Sequence, residues 1–347
     1  MSISSLYSAG AVLRNSLKME EAHFRNDLSA EEARQLFQHH VELIEVETTS
    51  YCNRTCSFCP NSFIDRRSEK LVMPEATWEA IIAGLQDCAY DQTFIWSRYS
   101  EPLSEKRIID RIKQVRKAAP NCRIAINTNG DFLDKYFLEE LLHAGLNRLM
   151  VDIYMPDDEE YSDAVARECL DRFLKRIDCS ATVTSTYPEL AAQVAHPLDI
   201  STNVRNLASL RRSSLVDRGG LIELAPKSPR LSPCYTPYKH LVIDWDGSVV
   251  VCCQVRSDST KHKNTVVGQI GVNGLGLASA YSKLAEWRLS LKTYGPKSGP
   301  CTSCEFGSYP STLVTRTLAT SLSDVTSPLH RLLKVALRPV LGKKSRW

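Results

Sequence analysis

Residues 41–60 read VELIEVETTSYCNRTCSFCP. The first half alternates apolar and acidic residues, the pattern of a strand with one wetted face. The second half places Cys52, Cys56 and Cys59 in a C-x3-C-x2-C loop directly after that strand. A closed zinc site needs four ligands, and so does an ordinary iron–sulfur cluster. Three thiolates in eight residues therefore leave either a distant fourth ligand or a metal position kept open.

Outward from this stretch, strand and helix patterns alternate. TFIWSRY (93–99), RIAINTNG (123–130) and NRLMVDIYM (147–155) read as strands. Helical patterns follow each, over 104–118, over DKYFLEELLHAG with Gly145 as its C-cap, and over 158–177. SATVTSTY and DISTNVRNL supply two further candidate strands. Strands alternating with helices of this length imply a parallel sheet, and about six units make a partial (β/α)6 barrel rather than a closed eightfold one. Near residue 225 the chain changes character: APKSPRLSPCYTP reads as a linker, and HLVIDWDGSVVVCC as a hairpin turning at Asp-Gly. The expected divisions are a helical extension at 1–40, a partial barrel at 41–225, a small hairpin-containing domain at 226–310 and a tail at 311–347.

Charge is nearly balanced, with 43 Lys and Arg against 40 Asp and Glu, which argues for no nucleic-acid partner. The basic excess sits partly in the last sixteen residues, where a docked helix or frayed tail is expected, with attachment to a membrane surface the lesser reading. No run of eighteen apolar residues is present and no secretory signal opens the sequence. Twelve cysteines without an export signal read as metal ligands rather than disulfides, giving a cytoplasmic expectation. The histidines at 39, 40, 143, 196, 240 and 262 lack metal spacing and are expected at the surface or in caps.

C-x3-C-x2-C after the first strand, with Phe58 before the last cysteine, resembles the signature of radical S-adenosylmethionine enzymes. That resemblance implies a [4Fe–4S] cluster on Cys52, Cys56 and Cys59, whose open iron chelates S-adenosylmethionine. It also implies reductive cleavage to a 5′-deoxyadenosyl radical that abstracts hydrogen from a substrate, with flavodoxin or ferredoxin as electron donor. SRYSEPL (97–103) is similar to the family's Gly-Gly-Glu-Pro segment, so Glu101 is expected to receive the methionine amino group. Tyr99 and Ser100 stand where the family has glycines, which leaves less room for backbone approach. Asn127, Thr128 and Asn129 match positions facing the nucleoside or carboxylate, and Asp152 is a candidate ribose or substrate contact unless it merely pairs with a nearby Arg or Ser.

Cys234, Cys252, Cys301 and Cys304 form a second set, C-x17-C followed by C-x2-C. Spacing alone would favour zinc over a closed iron–sulfur cube. The set is similar to the shortened "twitch" form of the SPASM domain, which implies one auxiliary [4Fe–4S] cluster on these four thiolates. In strand VVVCC, Cys253 should turn away from the side Cys252 faces. It reads as a buried packing residue or, by the resemblance, as a hydrogen donor to a substrate radical. Cys88, Cys122, Cys169 and Cys179 read as packing residues, Asp244 and Asp246 as turn residues, and Tyr238 and Lys239 as possible substrate contacts.

The expected function is hydrogen abstraction from a small polyol, aminosugar or aminocyclitol, ending in oxidation, dehydration or epimerisation. The auxiliary cluster would accept an electron or anchor the substrate. The alternatives are modification of a ribosomally made peptide and, in a different class, a non-enzymatic iron–sulfur or zinc protein.

Overall fold

In the computed structural model, ten strands form one sheet: β1 Leu43–Val46, β2 Thr93–Trp96, β3 Arg123–Thr128, β4 Arg148–Tyr154, β5 Ala181–Ser185, β6 Ala191–Val194, β7 Asp199–Arg205, β8 His240–Ile243, β9 Ser248–Val250 and β10 Val266–Gln269. The structure describes residues 3–156, 161–186, 189–206, 215–223, 225, 227–337 and 339. The strand order is β10-β9-β8-β1-β2-β3-β4-β7-β6-β5. The six central strands, β8 through β7, run parallel, and an antiparallel pair closes each edge.

Alternation along the strands decides which face carries the core. Ile44, Val46, Phe94, Trp96, Ile124, Ile126, Leu149 and Val151 are fully buried on one face. Helices Glu75–Asp87, Ile108–Ala118, Lys135–His143 and Asp163–Ile177 follow β1 to β4, and successive members contact one another. Each returns the chain for the next parallel strand, as short right-handed crossovers require. The intervening residues, such as Glu45, Ile95, Asn127 and Asp152, turn to the opposite face and line a cavity.

The partial barrel and the small domain read from the sequence are both present, but the sheet is shared. The sixth parallel strand is β8, which pairs with β1 from Leu43↔His240 to Val46↔Ile243. The stretch 181–205 instead makes a meander, with β6 between β5 and β7. Gly247 adopts φ +86° at the turn between β8 and β9, as the Asp-Gly reading requires. Strand β9 ends at Val250, so Cys252 and Cys253 lie in the turn beyond it rather than in the strand.

The N-terminal segment is helical and contributes buried apolar residues: Val12, Leu17, Met19, Leu36 and Phe37. Its helices Ile3–Leu17 and Ala30–His40 pack on helices Leu313–Ser321 and Leu277–Ser282, so the two ends of the chain meet. The tail reading falls partly outside the described residues; helix Pro328–Ala336 lies within them. His240 and His262 are buried, not surface residues: His240 opens the core strand β8, and the His262 ring lies 2.9 Å from the Gly219 carbonyl.

Candidate active site

The three-cysteine loop sits at the carboxyl ends of the parallel strands, where α/β sheets place their sites. Its turns are closed by backbone bonds from Cys52 N to the Arg66 carbonyl (3.2 Å) and from Cys59 N to the Cys56 carbonyl (2.9 Å). All three cysteines line a cavity of about 550 Å³, together with Glu101, Asn127, Thr128, Asn129, Asp152 and Tyr154. That volume suits a cofactor and a small substrate. Burial pushes the Cys52 thiol up to about 12 and the Cys59 thiol upward as well, so the free thiol form is favoured until positive charge arrives.

The Glu101 carboxylate is held from three sides. It accepts from the backbone N–H of Leu103 (2.9 Å) and Asn129 (2.8 Å) and from the Thr128 hydroxyl (2.6 Å). Burial nevertheless raises its pKa to about 7, because desolvation outweighs those donors. Thr128 and Asn129 thus position Glu101, while Asn127 stands open to the cavity from the inner face of β3. Ser100 is buried, and its hydroxyl has no partner among the described residues. Asp152 lines the cavity but also accepts from Arg205 Nε at 3.0 Å, so the ion-pair reading holds whatever else it touches.

Tyr99 is 2% exposed and does more than replace a glycine. Its N–H donates to Glu47 (2.8 Å) and its hydroxyl donates to the Cys253 carbonyl (3.2 Å). Arg98, Arg256 and Arg218 lie over its ring at 5.1, 4.9 and 5.9 Å from the centroid. Beneath it runs a charge network that sequence reading missed. Arg98, in the left-handed region at φ +85°, pairs with Asp244 and donates to the Val255 carbonyl. Arg66 reaches Glu47 (3.5 Å) and Asp258 (3.0 Å), and Arg256 pairs with the same Asp258. Asp244 is fully buried, so its role is structural pairing as well as turn geometry.

Cys234, Cys252, Cys301 and Cys304 border a second, much smaller cavity, with Gln254 and Phe306 in the wall common to both. Burial and the neighbouring thiols push Cys301 up to about 12 and Cys304 up to about 11, and raise Cys252. Arg230 wraps the group, donating to the carbonyls of Ser232, Pro233, Cys304, Phe306 and Gly307 at 2.7–3.2 Å. Among the described residues no three His, Cys, Asp or Glu converge tightly enough to hold a single metal ion. Four thiols lining one small enclosed space are a donor set that a closed [4Fe–4S] cluster can use. Cys253 points the other way and lines the large cavity, its sulfur 3.4 Å from Gln254 Nε2.

Other groups were missed because nothing in their local sequence marks them. Glu45, Ser97, Arg218, His240, Gln254 and Phe306 all line the cavity. Only Glu45 carried a signal, as an acid on the wetted face of the first strand. Tyr238 and Lys239 do not reach the cavity; the Tyr238 hydroxyl donates to the Arg288 carbonyl at 2.6 Å.

Residues 46–182 match the radical SAM superfamily and residues 234–305 an iron–sulfur cluster-binding domain. The chain is 25% identical over 266 residues to S-adenosyl-L-methionine-dependent 2-deoxy-scyllo-inosamine dehydrogenase of Niallia circulans, covering 76% of this chain and 92% of that protein. It is 24% identical over 147 residues to GTP 3′,8-cyclase of Peptoclostridium acidaminophilum, 42% of this chain and 44% of that one. The fold is similar to the crystal structure of BtrN in complex with AdoMet and 2-DOIA, with TM-score 0.51, 23% identity, and 73% of this chain and 87% of that chain covered.

Proposed function

We propose that this chain, which belongs to the radical S-adenosylmethionine superfamily and ends in an iron–sulfur cluster-binding domain, takes a hydrogen atom from a small polyol, aminosugar or aminocyclitol. It is an enzyme of oxidoreductase type that uses S-adenosylmethionine and [4Fe–4S] clusters. The observation that carries the substrate reading is the single cavity bounded by Cys52, Cys56 and Cys59 on one side and by Cys253, Gln254 and Phe306, beside the second cysteine set, on another. Similarity over 92% of an aminocyclitol dehydrogenase supports the same class over a peptide.

The residues divide the work. Cys52, Cys56 and Cys59 would hold the open cluster, and Cys234, Cys252, Cys301 and Cys304 the closed one. Bound there, the cofactor supplies a carbon radical able to take hydrogen from an unactivated C–H bond. Glu101, fixed by Thr128 and Asn129, offers its remaining lone pair to the methionine ammonium, and Ser100 brings an unpartnered hydroxyl to the same end. Asn127 and Asp152 stand along the inner face for the nucleoside or the substrate. Glu45, with the Ser97 hydroxyl donating to it, and Arg218 offer hydroxyl-binding groups deeper in. Such fixed groups orient one C–H bond and keep others away. Flavodoxin or ferredoxin as electron donor remains part of the proposal.

A second outcome is favoured by one observation. The Cys253 thiol faces the cavity, where it could return a hydrogen atom to the substrate radical and give an epimer instead of a ketone. Anaerobic assays with a panel of aminocyclitols, aminosugars, polyols and short peptides decide the matter. Stimulated 5′-deoxyadenosine formation by a cyclitol or sugar, with deuterium carried from its ring carbon into that product, is the expected result. Stimulation by peptides alone would overturn the substrate class.

A further inference from the structure

Helix Pro328–Ala336, sequence PLHRLLKVA, presents an outward face the catalytic reading does not use. Leu329, Leu332 and Val335 are 48%, 68% and 74% exposed, although each is a large apolar side chain. At 100° per residue, Pro328, Leu329, Leu332, Val335 and Ala336 fall in one arc about 120° wide. The opposite face docks the helix: His330 is buried with Nδ1 3.0 Å from the Leu322 carbonyl, and Lys334 reaches Glu20 at 2.9 Å. The apolar arc is therefore displayed by a helix already anchored through its other side.

Charge identifies what covers it. From Val325 to Trp347 the sequence has no Asp or Glu, while Arg331, Lys334, Arg338, Lys343, Lys344 and Arg346 supply six cations. Of Arg331 and Lys334, the two that lie among the described residues, Lys334 is engaged by the ion pair just described. Two copies joined through this face would bring like charges together. A nucleic acid would use the cations and leave the leucines wet. An apolar arc edged by Arg331 and followed by further basic residues suits a bilayer with anionic headgroups, which takes both. We propose that helix Pro328–Ala336 docks the enzyme peripherally on an anionic membrane surface, its Leu329–Leu332–Val335 arc in the acyl boundary and Arg331 at the headgroups.

The test is flotation of the full, cluster-loaded chain with vesicles of phosphatidylcholine alone or with about one quarter phosphatidylglycerol. Binding roughly tenfold stronger to the anionic vesicles, and weakened several-fold by raising salt from about 0.05 to 0.5 M, is expected. The Leu332→Glu/Val335→Glu double variant should lose that binding while keeping iron content and S-adenosylmethionine cleavage. Equal binding by the variant, or none by the parent, overturns the proposal. So does a concentration-dependent dimer, seen by light scattering, that the variant abolishes, because it would give the face to a second copy.

Discussion

Replacing Asp244 with Ala tests whether the buried Arg98–Asp244 pair balances its own charge. Asp244 is fully buried and takes the Arg98 guanidinium and the Ser257 N–H (2.6 Å). Without it, Arg98, whose side chain is 1% exposed, keeps the Val255 carbonyl and a carboxylate oxygen of Glu47 at 4.0 Å. Removing one partner of a buried ion pair costs about 3–5 kcal/mol, since the survivor's charge stays desolvated. Glu47 takes up part of the Arg98 charge, which places the loss near 3 kcal/mol and the fall in Tm at roughly 4 °C for a chain of 347 residues. Anaerobic unfolding followed by tryptophan fluorescence measures this. The Arg98→Met/Asp244→Ala double variant should recover at least about 1 kcal/mol relative to the sum of the singles. Strict additivity, or a single-variant loss under about 1 kcal/mol, would refute the idea that this pair carries its own charge balance.

Iron content should be about eight per chain after anaerobic reconstitution, falling to about four in the Cys52/Cys56/Cys59→Ala variant with loss of S-adenosylmethionine cleavage. Arg230→Ala, which strips its bonds from the carbonyls around Cys234 and Cys304, should release the other four irons selectively, read by iron analysis with cleavage activity retained. Glu101 is held at a pKa of about 7 against the usual 4.5, so the folded state binds its proton more tightly than the unfolded state. The stability this gives is complete below pH 4.5 and is lost as pH rises towards 7, a difference of about 3 kcal/mol. Glu101→Gln should flatten that part of the stability profile in the cluster-free protein, measured by urea unfolding across pH. Cys253→Ala should leave 5′-deoxyadenosine formation intact but abolish solvent deuterium uptake into product if the thiol returns hydrogen; unchanged uptake would remove Cys253 from that role.

The strands that build the cavity were readable because their two faces differ so sharply. In β3 the large apolar Ile124 and Ile126 alternate with Arg123, Ala125 and Asn127, the pattern of a strand with one core face. Both cysteine sets were readable from spacing. Strand β6 was not, since Ala191–Val194 is short and ends a Pro-containing stretch. The pairing of β8 with β1 was equally hidden, because no local preference encodes a partner on the far side of the chain. The missed charges share one cause. Arg98, Asp244 and Arg256 look like surface or turn residues in any short window, and only pairing, Arg98 with Asp244 and Arg256 with Asp258, permits their burial. Tyr99 read as a departure from a glycine pattern; its use as the floor between three guanidinium groups exists only in three dimensions.

The pairing of β1 with β8 sets a timetable for the growing chain. The first cysteine loop and the strands around it leave the ribosome long before His240 does, so β1 waits with one edge bare. Its partner arrives only after roughly two hundred further residues, a contact of high sequence separation and therefore slow to form. Cys301 and Cys304 come later still. Iron delivered early in synthesis can meet only the three-thiol loop, and the four-thiol site can close only on a chain whose sheet is nearly complete.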